Sequence, residues 1–332
     1  MTAPVPAPCL PRQSSAAGWS IAITALAVGG AALAAVSAGS SVANVGGALR
    51  ALWILPGLVG LHLTQLLLAG LGWRSLFTGT RASVAVFYRL RVIREGIDSL
   101  LPVAQIGGEI VGARLLARHQ VAPGEAGASV IVDVTIELMT QILFLLAGLA
   151  ALAWLSQQAP WGIWLEAALA GGAAAGLLLA QRFGLLRALD ALLRRIAQRW
   201  PALAGASPGR LHAAALGFYR HPGAILRSVL LHVVAWALGT AETWAVLHVL
   251  GVPVSPLQAL VVESLGMAAR SAGFAIPAAL GVQEGGFVLA ALAAGVPATA
   301  ALPLVLIKRV REVSVGLIGI AHWRVRLRYP AA

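Results

Sequence analysis

Charge is what this 332-residue chain has least of: Asp, Glu, Lys and Arg make up 11% of it, against about 25% in soluble domains. A water-soluble globule is therefore excluded. Cysteine is nearly absent, and Cys9 alone leaves no intramolecular disulfide and no cysteine-based zinc site. The low hydrophobicity that disorder requires is missing as well, because 59% of residues are hydrophobic and the mean hydropathy is +0.85. Nor is there the ten-residue alternation of apolar and polar side chains that marks a transmembrane β-barrel. What is present are recurring runs of about 20 apolar residues, which predict an all-α polytopic membrane protein.

The net charge is +12, with arginine supplying every basic residue except Lys308. In a soluble chain such an excess would point to nucleic acid. In a membrane chain it points to cytoplasmic loops that face anionic phospholipid headgroups, and no nucleic-acid partner is expected. Apolar spans are expected at about residues 18–39, 49–73, 127–155, 161–180, 224–250 and 298–323. The first, with Arg12 ahead of it and Val36-Ser37-Ala38 near its end, has features of a secretory signal. It is long for a signal core, which favours a retained span. One transmembrane domain, 18–323, is expected between tails at 1–17 and 324–332.

Basic residues orient the spans. Arg74, Arg81, Arg89, Arg91 and Arg94 follow the second span, a larger set from Arg182 to Arg227 follows the fourth, and Arg324, Arg326 and Arg328 close the chain. The connections around Gln157, Val252 and Val296 have none. The positive-inside rule then puts both termini in the cytoplasm. It also predicts an amphipathic cytoplasmic segment over 182–220. Tryptophans near span ends, among them Trp53, Trp73 and Trp323, read as interfacial anchors. Gly172 and Gly176 read as ordinary close helix packing.

Two apolar regions, 84–117 and 256–294, are interrupted by Pro, Gly and charges. Loop charge requires the first to enter and return on the inner face and the second on the outer face. The expectation is thus about six full spans plus two opposed re-entrant hairpins in an inverted repeat. A register of 175 residues supports it, relating Pro102, Glu109, Asp133 and Glu137 to Pro277, Glu284, Lys308 and Glu312. Non-helical backbone cannot face lipid, since each unpaired N–H or C=O costs several kcal/mol there, so such segments line protein or a wet cavity. Charges at that depth should likewise point inward and pair. Glu109, Arg114, Asp133, Glu137, Glu284, Lys308, Arg309 and Glu312 are accordingly the candidate substrate or transport residues. Lys308 and Glu312 share a helical face, as do Asp133 and Glu137, and Arg311 points elsewhere. No His-x3-His pair, nucleophile elbow, phosphate loop or dinucleotide fingerprint is visible, so neither an enzyme nor a cofactor is expected.

Ser99-Leu100-Leu101-Pro102, leading to Gly107-Gly108-Glu109 and Arg114 and then Ala128-Ser129-Val130 with Asp133, resembles the transmembrane region of lysylphosphatidylglycerol synthases, a flippase-like family. Ile276-Pro277, Gly281 to Gly286, and Lys308-Arg309-Val310-Arg311-Glu312 look most like its hopanoid-biosynthesis-associated branch. The resemblance implies an inner-membrane protein that moves or handles lipids, among them hopanoids, beside lipid-biosynthesis enzymes. A non-transporting scaffold for lipid-modifying enzymes is the alternative. Full-length synthases carry a soluble aminoacyl-transfer domain, and none is expected after Trp323. Ala278-Ala279 also stand where many relatives have glycines.

Overall fold

The computed structural model describes Gly46, Leu49 and residues 51–101, 107–156, 208–274 and 276–328. The expected spans at 18–39 and 161–180, the Gly172–Gly176 motif, Pro102 and most of the 182–220 segment lie outside the described residues. Nine α-helices and no strand occur among those described. They are α1 (Leu55–Ser75), α2 (Val84–Leu100), α3 (Gly107–Ala117), α4 (Pro123–Leu155), α5 (Pro208–Tyr219), α6 (Pro222–Val249), α7 (Pro256–Ala272), α8 (Val282–Ala293) and α9 (Ala298–Arg328).

Local chemistry sets these boundaries. Proline stands in the first turn of α1, α4, α6 and α7, where its missing N–H leaves no helical bond unmade. The Ser255 hydroxyl accepts from Gln258 N at 3.2 Å while Gln258 Oε1 accepts from Ser255 N at 2.9 Å, a capping box that starts α7. Gln258 Nε2 then donates to Ala294 O at 2.9 Å and ties the start of α7 to the end of α8.

The fold repeats itself. Helices of 21, 17, 11 and 33 residues (α1 to α4) are followed, after α5, by helices of 28, 17, 12 and 31 residues (α6 to α9). The packing repeats too: α2 crosses α9 as α7 crosses α4, α3 folds back on α2 as α8 does on α7, and α1 and α6 pack against each other. Each interrupted region is a helix, a break and a shorter helix. The second break carries a 3₁₀ turn at Pro277–Ala279, in which Ala278 and Ala279 sit at φ 53° and 48°. That left-handed conformation costs an L-residue roughly 1–2 kcal/mol, which glycine would avoid.

The exterior is that of a membrane protein. α1 with its leading turn, α4 and α6 are long and apolar enough to cross a bilayer. α9 is equally long but carries Lys308, Arg309, Arg311 and Glu312 in its middle. Met139, Leu143, Leu146 and Trp154 on α4 and Leu226, Leu230, Val233 and Val234 on α6 are exposed, which suits lipid and not water. Two apolar clusters close the ends of the bundle. One gathers Leu58, Leu152, Leu247, Val254 and Val296, and the other Trp73, Phe77, Phe87, Val121 and Phe218. The charges lie between them.

Trp73 corrects its expected role as an interfacial anchor. It is fully buried, donates from Nε1 to Ser129 Oγ at 3.0 Å and lies under the Arg94 guanidinium at 5.0 Å. Trp53 and Trp154 are exposed and keep the interfacial character.

Candidate functional site

The first cluster forms where α2 meets α3 and α4. Arg91, Arg94, Glu95 and Asp98 recur at i, i+3, i+4 and i+7, one helical face, and that face turns inward. Arg91 donates to Asp133 Oδ2 at 3.1 Å and to Glu137 Oε2 at 3.0 Å. Arg94 donates to the same Asp133 oxygen at 3.0 Å and pairs through Nη2 with Glu109. Asp98 accepts from Gly108 N at 2.8 Å, which fixes the start of α3. A Cβ at Gly112 would lie 2.8 Å from Arg94 Cδ, so glycine there gives the guanidinium its room. Arg114, half-buried, lies further along α3.

The second cluster joins α6, α7, α8 and α9. Lys308 Nζ lies 2.7 Å from Glu263 Oε2 and 3.6 Å from Glu242 Oε1. Arg311 donates from Nε to Glu242 at 3.0 Å and faces His62 of α1 at 3.2 Å. Arg309 pairs with Glu284, donates to Glu312 at 2.9 Å and reaches the Ala278 carbonyl at 3.3 Å across the broken turn. Arg270 pairs with Glu312 and lies 3.7 Å from Glu95, which links the clusters.

The two clusters correspond with inverted sign. α2 and α7 are related by 172 residues and α4 and α9 by 175, so Arg91···Asp133 in one half matches Glu263···Lys308 in the other. Asp98 matches Arg270 in the same way. Nine of the chain's twelve carboxylates (Glu95, Asp98, Glu109, Asp133, Glu137, Glu242, Glu263, Glu284 and Glu312) are buried or half-buried here. Burying so many charges is tolerable only because they meet guanidinium, ammonium or backbone donors.

All eight residues singled out in the sequence fall in or beside these clusters, but several pairings differ. Lys308 meets Glu242 and Glu263 and not Glu312, because the carboxylates of α6 and α7 reach it from outside its own helix. Arg311 does point away from Glu312, yet toward Glu242 inside the bundle. Arg91 and Arg94, counted above with the topology charges, are 6% and 2% exposed and belong to the interior, since carboxylates of α3 and α4 cover the face of α2 that carries them. Only Arg74, Arg81 and Arg89 of that group serve the loop argument. Arg74 donates to the Phe77 carbonyl at 3.1 Å and the Ala82 carbonyl at 3.2 Å, closing the turn after α1. His62, His232, Glu242, Glu263 and Arg270 were missed, although ionisable residues inside apolar helices were the available signal.

An open cleft of about 870 Å³ lies at the end of the bundle that carries Arg81, bordered by Thr78, Thr80, Gln120, Glu125 and His221. From its wall an aromatic chain, Phe218, Phe77, Phe87 and Trp73, leads to Arg94, with ring centroids 5.1–5.5 Å apart.

The family model described as the lysylphosphatidylglycerol synthase TM region matches residues 20–319. The chain belongs to that family. Membership covers both halves of the repeat and both charge clusters, and it makes this a multi-pass membrane protein of lipid metabolism or transport. No curated protein and no solved structure matches the chain.

Proposed function

We propose that the protein is a lipid transporter of the flippase kind in the bacterial inner membrane, with both termini cytoplasmic. The observation that carries this reading is the network of buried charge at the junction of two broken-helix repeats. Paired, interrupted segments are how transporters build a polar site at membrane depth. Glu109 keeps 21% of its side chain exposed while Glu284 keeps 9%, so the first hairpin offers the accessible carboxylate. The candidate transport residues remain Glu109, Arg114, Asp133, Glu137, Glu284, Lys308, Arg309 and Glu312, with Arg91, Arg94 and Glu263 added. The second cluster is mostly a fixed wall, because Glu284 also accepts from Gly281 N at 2.7 Å and caps α8.

Hopanoids with polar headgroups are the first substrate class to try, because of the motifs at 276–286 and 308–312. The protein acts without catalysis, beside the enzymes that make its lipid. The tight pairing of the second cluster favours one other reading, a scaffold that holds such enzymes and moves nothing. Reconstitution into vesicles with labelled hopanoid, aminoacylated and plain phospholipids separates the two. A transporter moves at least one of them, and a scaffold moves none.

A further inference from the structure

His232 sits on α6, 2% exposed, against Asp133, which is fully buried. Its Nδ1 lies 2.9 Å from the Ser228 carbonyl, which can only accept, so Nδ1 carries a proton. Nε2 then faces Asp133 Oδ1 at 3.7 Å. Both guanidiniums that reach Asp133 donate to its other oxygen, Oδ2. Oδ1 and Nε2 have no hydrogen-bond partner among the described residues. A neutral ring with this orientation would aim a lone pair at a carboxylate oxygen, in an interior where such opposition is costly. A second proton on the ring turns the opposition into an imidazolium–carboxylate pair.

We propose that His232 and Asp133 form a proton-binding site and that its occupancy is coupled to lipid movement. The coupling rests on the transport reading above, but the site does not. The proton comes from water and returns to it, with no other bond made or broken. The groups around it are set. Asp133 and Glu137 face it from α4, and Arg91 and Arg94 of α2 lie behind Asp133. Glu109 of α3 is tied in through Arg94. From α1 comes Gly72, which does not titrate. The contacts of α7 and α9 with α6 fall further along, where Glu263, Lys308 and Arg311 reach Thr243 and Glu242. Gain or loss of the ring proton changes the hold on Asp133, and through Arg94 it changes the hold on Glu109 at the mouth of the first hairpin. Gly72 positions the ring: a Cβ there would lie 2.9 Å from Cε1 and 3.0 Å from Nδ1, so any side chain displaces it.

Nitrogen-15 spectra of histidine-labelled full-length protein in nanodiscs, recorded from pH 5 to pH 9 for each variant, test the site directly. The His232 signals are identified by their loss in His232→Gln. The expected result is a second ring proton that the wild type holds at a pH where Asp133→Asn has lost it. Gly72→Ala, which keeps every charge, should lose the second proton as well, so the test survives if Asp133→Asn misfolds. Ring protonation in the wild type that matches Asp133→Asn and Gly72→Ala at every pH overturns the site. In vesicles, a pH difference should change lipid movement by up to about tenfold per unit, the limit for one proton, and His232→Gln should lose that dependence. Lipid movement by the wild type that ignores the pH difference overturns the coupling and leaves transport standing. No movement of any lipid overturns transport, and the spectra still decide the site.

Discussion

Replacing Lys308 with Met should strand a carboxylate in the bundle. Lys308 is 3% exposed and Glu263 4%, with Nζ 2.7 Å from Oε2, so water screens the pair little. At an effective dielectric near 20, two unit charges at that distance attract by roughly 6 kcal/mol, most of which offsets the cost of desolvating them. The methionine keeps the length of the stem and its contact with the Phe287 ring, which lies 5.1 Å from Nζ. What it removes is the neutralising charge. Glu242 retains Arg311 at 2.9 Å, while Glu263 retains only the Thr243 hydroxyl at 2.5 Å among the contacts around it. The single substitution should therefore cost about 3–5 kcal/mol, the usual result of breaking a buried pair from one side. Lys308→Met with Glu263→Gln should recover most of that loss, because neither charge is then left alone. Steric-trap unfolding in bicelles measures both, and the double-mutant cycle isolates the coupling. A coupling within about 0.5 kcal/mol of zero, the scatter seen for independent sites, would refute the argument that this pair is desolvated and mutually dependent.

Three further outcomes follow from the geometry. In a Cys9→Ala background, cysteine at the exposed Gln120 should react only with reagent from the cytoplasm and at the exposed Ser255 only from outside; the reverse at either site breaks the inverted arrangement. At the crossing of α2 and α9, a Cβ on Gly96 would lie 2.7 Å from the Gly316 carbonyl and 2.9 Å from Gly319 Cα, both backbone. Gly96→Ala should thus lower stability by about 1–3 kcal/mol in the same unfolding measurement, and an unchanged value would mean the helices can part freely. Ala278→Val should cost about 2 kcal/mol or more, since a β-branched residue tolerates φ 53° poorly, whereas Ala278→Gly should be close to neutral; equal behaviour of the two would deny the left-handed turn.

Much of this molecule was written in its residue pattern. The spans expected at 127–155, 224–250 and 298–323 fall on α4, α6 and α9 within a few residues, because long apolar runs leave one local solution in lipid. The 175-residue register matched Glu109 with Glu284, and the starts of α3 and α8 and of α4 and α9 keep that spacing. The partners were not legible. Sequence spacing shows which charges share a helix face, as for Lys308 and Glu312, but not which helix lies opposite. Glu263 and Glu242 reach Lys308 only because α7 and α6 fold around α9. Arg91 and Arg94 resemble loop arginines in a linear reading. Their spacing with Glu95 and Asp98 becomes informative only once α2 is known to be buried on that face.

Lipid movement through the first hairpin is tested by comparing Glu109→Gln with the wild type in sealed vesicles carrying a headgroup-labelled lipid that the wild type moves. Glutamine keeps the size of Glu109 and its half-exposed position, and Arg94 retains Asp133 at 3.0 Å, so the protein should fold and insert. Glu109→Gln should abolish the lipid movement seen with the wild type while leaving the elution profile and melting temperature in place. Full movement by a folded Glu109→Gln protein would contradict that expectation and would leave the buried charges as architecture alone.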